Sequence, residues 1–371
     1  MDIERTLFMV GGAAEAVAEP ARLNCLETIG GRDAGRRHPI PPEGLVIGRA
    51  PPADLVVDDR QVSRSHCRLT LRNGHVWVED LGSTNGVFVD GVRIEARVRL
   101  PVGAILRVGG ASFKHEWLTS DQFARAEALD RDLAKAFLYV QALLPPPLTD
   151  GPVRAEWLYQ PCDRLGGDAF GYGLLPDGKL YIYVLDVSGH GAAAALHSVA
   201  VMNVLNQAAL PRAAMDRPDE VLAALNAMFP MIRHAEMYFS VWYGVYDPQT
   251  RGLEFGSGGH HPAFLLEPGQ SEPKPLRTRN PVIGARGPEA TFRTDQVQLP
   301  PGSALHLFSD GLFEIVTIDG VEWDLTAFLP LLSAPPVDGL TEPARLFAAV
   351  RALARPGELE DDVTALVMTF P

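Results

Sequence analysis

The stretch that most constrains this chain is LYIYVLDVSGHG, Leu180 to Gly191. Its tyrosines, isoleucine, valine and leucines read as a buried strand, which ends on Asp186 and passes into a turn where Gly189 and Gly191 flank His190. Ala192 to Leu210 is alanine-rich and lacks proline, so the next element is a helix. A carboxylate is thereby delivered to the edge of a core. It is either an idle solvated group or a metal ligand.

Three more aspartates occupy comparable places: Asp168 in LGGDAF, Asp310 in LFSDG and Asp361 in EDDVTAL, where Asp362 has the same chemistry. Aspartates gathered at strand tips repel one another, and a hard divalent cation with oxygen ligands relieves the repulsion. Histidine and cysteine do not recur among them, which favours Mg²⁺ or Mn²⁺ over zinc. Around these positions Glu156 to Pro161 and Phe170 to Leu175 read as strands, and Pro176-Asp177-Gly178 turns the second into LYIYVL. Helices are expected at 192–210 and about 218–229, and further strands at SVWYGVYD, LEFGSG, PAFLL, Ala304 to Phe308 and Val363 to Phe370. Consecutive hairpins give mostly antiparallel sheets, and apolar runs with no polar face need cover on both sides. The economical solution is a layered α/β fold.

The first third of the chain differs. From about Arg22 to Leu118, short β-type runs alternate with turns such as Asn73-Gly74 and Asp90-Gly91, the pattern of an all-β sandwich. Polar residues collect in its turns: Arg49 after Gly48, then Ser63, Arg64 and His66, then Ser83, Thr84 and Asn85. Between the two regions Thr119 to Gln122 fits a capping box, and Leu129, Leu133, Phe137, Val140 and Leu144 form a helical stripe stopped by three prolines from Pro145. That stripe has three candidate partners: the following domain, the preceding one, or a second copy, which would make a homodimer.

A length of 371 residues suggests two domains, and a net charge of -13 argues against nucleic acid as a partner. Cys25, Cys67 and Cys162 have no CxxC spacing and read as reduced thiols. The segment MDIERTLFMV is unlike a signal peptide, and no apolar run reaches membrane-spanning length, so a cytoplasmic protein without a membrane partner is expected.

Two resemblances follow from the residues. The ordered blocks GR, SxxH and LxSxNGxxVxG resemble the forkhead-associated (FHA) domain over residues 22–118. The resemblance implies a phosphothreonine-binding sandwich with Arg49, Ser63 and Thr84 on the phosphate, Asn85 on the peptide backbone, Arg64 beside them, and His66 as a brace. The chemistry suits a guanidinium and hydroxyl donors. The blocks GGDxF, DVSGHG, GGHHPAFL, SDGLFE and DDVTAL resemble the metal-dependent protein phosphatase (PPM) family in its stage II sporulation protein E subclass, over residues 148–371.

That second resemblance implies two stacked, mostly antiparallel sheets covered by helices. It implies Asp186 bridging two Mn²⁺ or Mg²⁺ ions with the Val187 carbonyl on one, Asp310 and Asp361 on the second, and Asp168 outer-sphere or at a third metal. Asp186 and Asp310 would be the catalytic pair, and phosphoserine or phosphothreonine would be hydrolysed by metal-activated water. One departure bears on the third ion: Gly171 stands where many relatives carry an acid. Arg164 is a candidate either for steering the substrate phosphate or for a surface ion pair, His190 either for a general acid or for shaping its turn, and His260 and His261 are expected to pack their loop rather than to act as ligands. The expected organisation is a tail at 1–21, the sandwich at 22–118, a linker helix at 119–147 and the catalytic domain at 148–371. The expected partners are a phosphothreonine protein on the sandwich and a phosphorylated regulator, such as an anti-sigma-factor antagonist, as substrate. Thr6 in the tail, once phosphorylated, is a candidate ligand for Arg49 within or between chains. The alternative is a phosphoprotein-binding scaffold with a degenerate catalytic domain.

Overall fold

The structure, a computed structural model, describes residues 22–29, 35–206, 210, 215–355 and 359–371. The 1–21 tail with Thr6, and residues 207–209 of the expected 192–210 helix, lie outside the described residues.

The first region is the expected all-β sandwich. Its strands are β1 (Arg22–Ile29), β2 (Arg37–Pro39), β3 (Leu45–Gly48), β4 (Leu55–Val56), β5 (Cys67–Arg72), β6 (His75–Asp80), β7 (Val87–Val89), β8 (Val92–Arg93), β9 (Val98–Leu100), β10 (Ile105–Val108) and β11 (Ala111–Thr119). One sheet has the order β2-β1-β11-β10-β7-β8 and the other β4-β3-β5-β6-β9. Strand alternation sends Leu26, Leu106 and Phe113 from the first sheet and Ile47, Leu69 and Val78 from the second into one shared core.

β11 runs directly into α1 (Ser120–Leu143), and Thr119 closes the capping box with reciprocal bonds: Gln122 N donates to Thr119 Oγ1 at 3.2 Å, and Thr119 N donates to Gln122 Oε1 at 2.9 Å. The C-terminal half of the helix settles on the second region. Val140 is buried there, Leu133 and Phe137 pack against the same core, and the Phe137 ring stacks on Tyr159 at 6.4 Å between centroids. The proline segment that follows supplies carbonyl acceptors, Pro145 to Trp157 Nε1 and Pro146 to the Tyr172 hydroxyl. Leu129 departs from the expected stripe and is 59% exposed, because the first half of the helix runs past the C-terminal core toward the sandwich.

The second region contains β12 (Arg154–Gln160), β13 (Ala169–Leu174), β14 (Leu180–Val187), β15 (Phe239–Asp247), β16 (Gly252–Gly258), β17 (Ala263–Leu266), β18 (Lys274–Leu276), β19 (Asp295–Gln298), β20 (Ser303–Phe308) and β21 (Val363–Phe370). They form two antiparallel sheets, β12-β21-β20-β17-β18 and β13-β14-β15-β16-β19. The sheets face each other through rings such as Tyr246 on Phe370 (4.6 Å) and Trp157 on Phe170 (5.2 Å). Of the helices, α2 (Ala192–Asn206) and α3 (Pro218–Met228) pack on one sheet, while α4 (Leu325–Phe328) and α5 (Glu342–Leu353) lie on the other side, α5 against β12 and β21. Apolar strands such as β14, buried along both faces, require this cover. Among the described residues no helix is long and apolar enough to cross a membrane.

The α1 contact makes a measurable demand. Phe137→Ala should destabilise the protein by about 2 kcal/mol in denaturant unfolding although it lies outside the catalytic-type fold, whereas Leu129→Ala, at a 59% exposed position of the same helix, should stay within about 0.5 kcal/mol. Equal effects would show that the helix is not docked.

Candidate metal centre and ligand-binding loops

Strand ends from both sheets of the second region converge on one cleft. β14 ends with Asp186 and Val187, β20 passes into the turn at Asp310, and β21 starts just after Asp361 and Asp362. β20 and β21 are paired, with Phe308 opposite Ala365, so Asp310 and Asp361 emerge at the same edge. The cleft, of about 500 Å³, is lined by Asp186, Val187, Asp310 and Asp361 together with Glu314, Glu360, His190, His261, Tyr238 and Ser240. Five of these are carboxylates, and no Lys or Arg is among the described residues of the lining.

Asp362 has a different task from Asp361. It is 3% exposed, and both its oxygens are occupied: Oδ1 accepts from Cys162 N at 2.8 Å and Oδ2 from Gly167 N at 2.6 Å. Its carbonyl accepts from Ser309 Oγ at 3.1 Å. The packing leaves no room for side chains around it. A Cβ on Gly166 would stand 2.6 Å from Asp362 Oδ2, and one on Gly311 would stand 2.2 Å from the Asp362 carbonyl oxygen. The glycines of GGD and SDG therefore serve this bracket.

The carboxylates strain one another electrostatically. Burial, then repulsion from Asp310, Asp361, Asp362 and Glu314, pushes Asp186 up to about 7. Asp168 is fully buried and raised well above the ordinary carboxylate range, first by burial and then by Asp186 and Asp362, with the Ser309 and Thr364 hydroxyls partly offsetting this. Its Oδ2 has no hydrogen-bond partner. Asp361 and Glu314 are raised chiefly by burial and next to Asp310 in Glu314's case. A hard oxygen donor set with an orphaned buried carboxylate oxygen and no internal cation fits Mg²⁺ or Mn²⁺.

Glu314 and Glu360 were not singled out by sequence reasoning. The spacing held the signal for Glu314, which stands four residues after Asp310 and one turn on, its N–H donating to the Asp310 carbonyl at 2.7 Å. Arg164 does not line the cleft. Its guanidinium lies 3.5 Å from Asp130 of α1, at the junction with the sandwich. At Gly171 an added Cβ would meet the Tyr183 ring at 2.5 Å, and the Tyr183 hydroxyl donates to Asn206 on α2, so an aromatic fills the place beside this glycine. His190 is exposed at the cleft rim between two glycines of positive φ. His260 is buried, and His261 packs on Phe308 and Phe313 while its edge reaches the cleft.

In the sandwich the loops after β3, before β5 and before β7 meet at one end. Arg49 N donates to the Ser63 carbonyl at 2.9 Å, Thr84 N donates to Ser63 Oγ at 3.2 Å, and Asn85 Nδ2 donates to the Gln61 carbonyl at 2.7 Å. His66 is fully buried beneath them, accepting from Ser63 N and bonded through Nε2 to the Gly86 carbonyl. Gly48 is compulsory, since a Cβ there would lie 1.9 Å from the Arg64 carbonyl oxygen. Arg49, Arg64, Thr84 and Asn85 are exposed and Ser63 half-buried, which leaves cationic and hydroxyl groups together on an open surface.

The raised Asp186 sets the sign of a pH effect. An unfolded Asp186 titrates near 3.8 and the folded one near 7, so between these values the metal-free fold holds the extra proton and loses stability as pH rises. Chelator-treated protein should melt lower at about pH 8 than at about pH 5. Asp186→Asn should flatten that slope, and Mn²⁺ at the higher pH should raise the melting temperature of the wild type far more than that of the variant. A flat profile for the metal-free wild type would contradict the assignment.

Comparison with known proteins agrees with this geometry. The family model described as stage II sporulation protein E (SpoIIE) matches residues 176–371, more than half of the chain, and the FHA domain model matches residues 45–109. FHA domain-containing protein FhaB of Mycobacterium tuberculosis is 40% identical over 75 residues, 20% of this chain and 48% of FhaB. Phosphoserine phosphatase RsbP of Bacillus subtilis is 24% identical over 188 residues, 50% of this chain and 45% of RsbP. The chain thus spans about half the length of the curated relatives it matches. The solved SiaA-PP2C domain of Pseudomonas aeruginosa superimposes with a TM-score of 0.56 at 23% identity, covering 67% of this chain and 98% of that domain, which shows the fold. With an FHA domain ahead of its layered α/β domain, the chain belongs to the stage II sporulation protein E (SpoIIE) family.

Proposed function

We infer that residues 148–371 hydrolyse phosphoserine or phosphothreonine on a protein with Mn²⁺ or Mg²⁺ in the aspartate cleft, and that residues 22–118 bind a phosphothreonine protein that targets or regulates this activity. The observation that carries the reading is a cleft with five carboxylates and no basic residue among its described lining, in a chain of this family. Asp186, Asp310, Asp361 and the Val187 carbonyl would hold two cations. Asp168, buried behind Asp186 with a free oxygen, is the candidate for a third or for an outer-sphere role. Cations bound there would lower the pKa of a water and neutralise charge on the phosphoryl oxygens. The chain's own part is positional: the Asp362 bracket fixes the segments carrying Asp168, Asp310 and Asp361, while Tyr238, Ser240 and His261 wall the space left for the phosphoryl group. In the net reaction a water oxygen bonds to phosphorus as the bond to the serine or threonine oxygen breaks.

The likeness to RsbP, a phosphoserine phosphatase, supports phosphoserine as the group hydrolysed; a phosphorylated regulator such as an anti-sigma-factor antagonist is the substrate proposed from the family resemblance. In the loops, Arg49, Ser63, Arg64 and Thr84 would bind phosphate and Asn85 the peptide backbone. The three free cysteines support a reducing, cytoplasmic compartment. On α1, exposed Leu138 and Tyr139 support a homodimer through that face, which light scattering would read as a doubled mass.

The purified protein should release phosphate from phosphopeptides only with Mn²⁺ or Mg²⁺. Asp186→Ala or Asp310→Ala should lower kcat at least about 10³-fold with the fold retained by circular dichroism. Arg49→Ala should weaken phosphothreonine-peptide binding at least about tenfold. A calorimetric titration showing no Mn²⁺ uptake would favour the scaffold reading instead.

A further inference from the structure

The strand registers place the ligand loops and the domain junction at the same end of the sandwich. β1 ends at Ile29, paired with Ser112 at the start of β11. The β10–β11 turn beside it touches the ligand loops, since Gly110 N donates to Asp59 Oδ2 at 2.7 Å and Asp59 belongs to the segment that leads to Ser63. β7, which leaves the Thr84–Asn85 turn at Val87, pairs with β10. The end of β1 and the Thr84 turn are therefore three inter-strand steps apart, about 14 Å, on one edge of the sheet.

Past the end of β1 a groove lies between the two regions. A cavity of about 510 Å³ separates the two regions, walled on one side by Thr28, Ile29 and Lys114 and on the other by Asp163, His190 and Glu360. His190 and Glu360 also line the aspartate cleft, so the two spaces share that wall. The junction has a defined orientation. Asp130 of α1 lies 3.6 Å from Arg37 of the sandwich and 3.5 Å from Arg164 of the second region, and α1 itself is anchored by Val140 and Phe137.

We propose that both sites act on one polypeptide: the substrate carries a phosphothreonine that seats in the sandwich loops and, further along the same chain, the phosphoresidue to be hydrolysed, with the intervening segment in the groove. This rests on the phosphatase reading above and narrows its substrate class to doubly phosphorylated proteins. Once the phosphothreonine is seated, the second encounter is intramolecular, so the gain falls on KM rather than kcat. At about 3.3 Å per extended residue, crossing the three strands alone takes about four residues, and the groove adds to this.

The test uses the full-length protein with Mn²⁺ and synthetic peptides bearing one phosphoserine, with threonine or phosphothreonine placed about 2, 8 or 14 residues away. Loss of the phosphoserine phosphate is followed by mass spectrometry, with p-nitrophenyl phosphate as a small-ester control. The expected result is a KM at least about tenfold lower for the phosphothreonine peptide at the two longer spacings, no advantage at the shortest, and no advantage at any spacing in Arg49→Ala. Equal KM values for primed and unprimed peptides, while the wild type still binds a phosphothreonine peptide, would overturn the proposal. So would an equal stimulation when the phosphothreonine is supplied on a separate peptide. Failure of the wild type to turn over even the small ester would instead remove the phosphatase reading, and the proposal with it.

Discussion

The candidate centre depends on one buried carboxylate that is not itself in the cleft. Asp362 joins three segments distant in sequence: its side chain accepts from Cys162 N and Gly167 N, and its carbonyl accepts from Ser309 Oγ. Desolvating a carboxylate costs several kcal/mol, and short charge-assisted bonds from two backbone amides are the compensation this fold provides. Each segment then delivers a neighbour. Gly167 is followed by Asp168, Ser309 by Asp310, and Asp361 precedes Asp362 itself. Ser309 reinforces the arrangement by exchanging bonds with Thr364 on β21, so the two strands that carry the acids share a register as well as an edge.

A fold that gathers acids in this way is working against itself until a cation arrives. The raised Asp186, Asp168 and Asp361 are the local expression of that conflict. It is tolerated because the cleft sits at the rim of a large apolar interior containing Tyr183, Trp242 and Tyr243, all fully buried. Core burial on this scale outweighs a few kcal/mol of repulsion at one edge. The same reasoning accounts for the glycines. Gly166 and Gly311 are where the backbone must approach Asp362 too closely for a side chain, so these turns are set by packing as much as by flexibility.

Much of this was legible before the structure. The unbroken apolar run LYIYVLDV, the capping box at Thr119 and the short runs of the sandwich each follow from local rules that tertiary contacts did not override. The two adjacent acids at 361 and 362 were not separable by chemistry, because their division of labour comes from which faces inward where the strand begins, a property of register. For Arg164 the sequence left an ion pair and a phosphate contact both open, because proximity in sequence to Asp168 says nothing about the direction of its side chain, which pairs with Asp130 across the junction. Leu129 fits the helical stripe, yet no periodic pattern reveals where the supporting core stops. Glu314 required knowing that the SDG turn continues as a helical turn.

The junction between the two regions combines two kinds of contact with different consequences. The C-terminal half of α1 is held by apolar burial, which is costly to undo, while its first half meets the sandwich through Arg37, shared among Glu27, Glu116 and Asp130, and through Arg164. The side chains of these pairs are only 16% to 20% exposed, so the cost of taking the charges out of water offsets much of their attraction. These pairs orient the sandwich at the junction through charge. Anything that contacts the ligand loops and the aspartate cleft together would favour the docked arrangement by its own binding energy, with the polar latch supplying direction rather than strength.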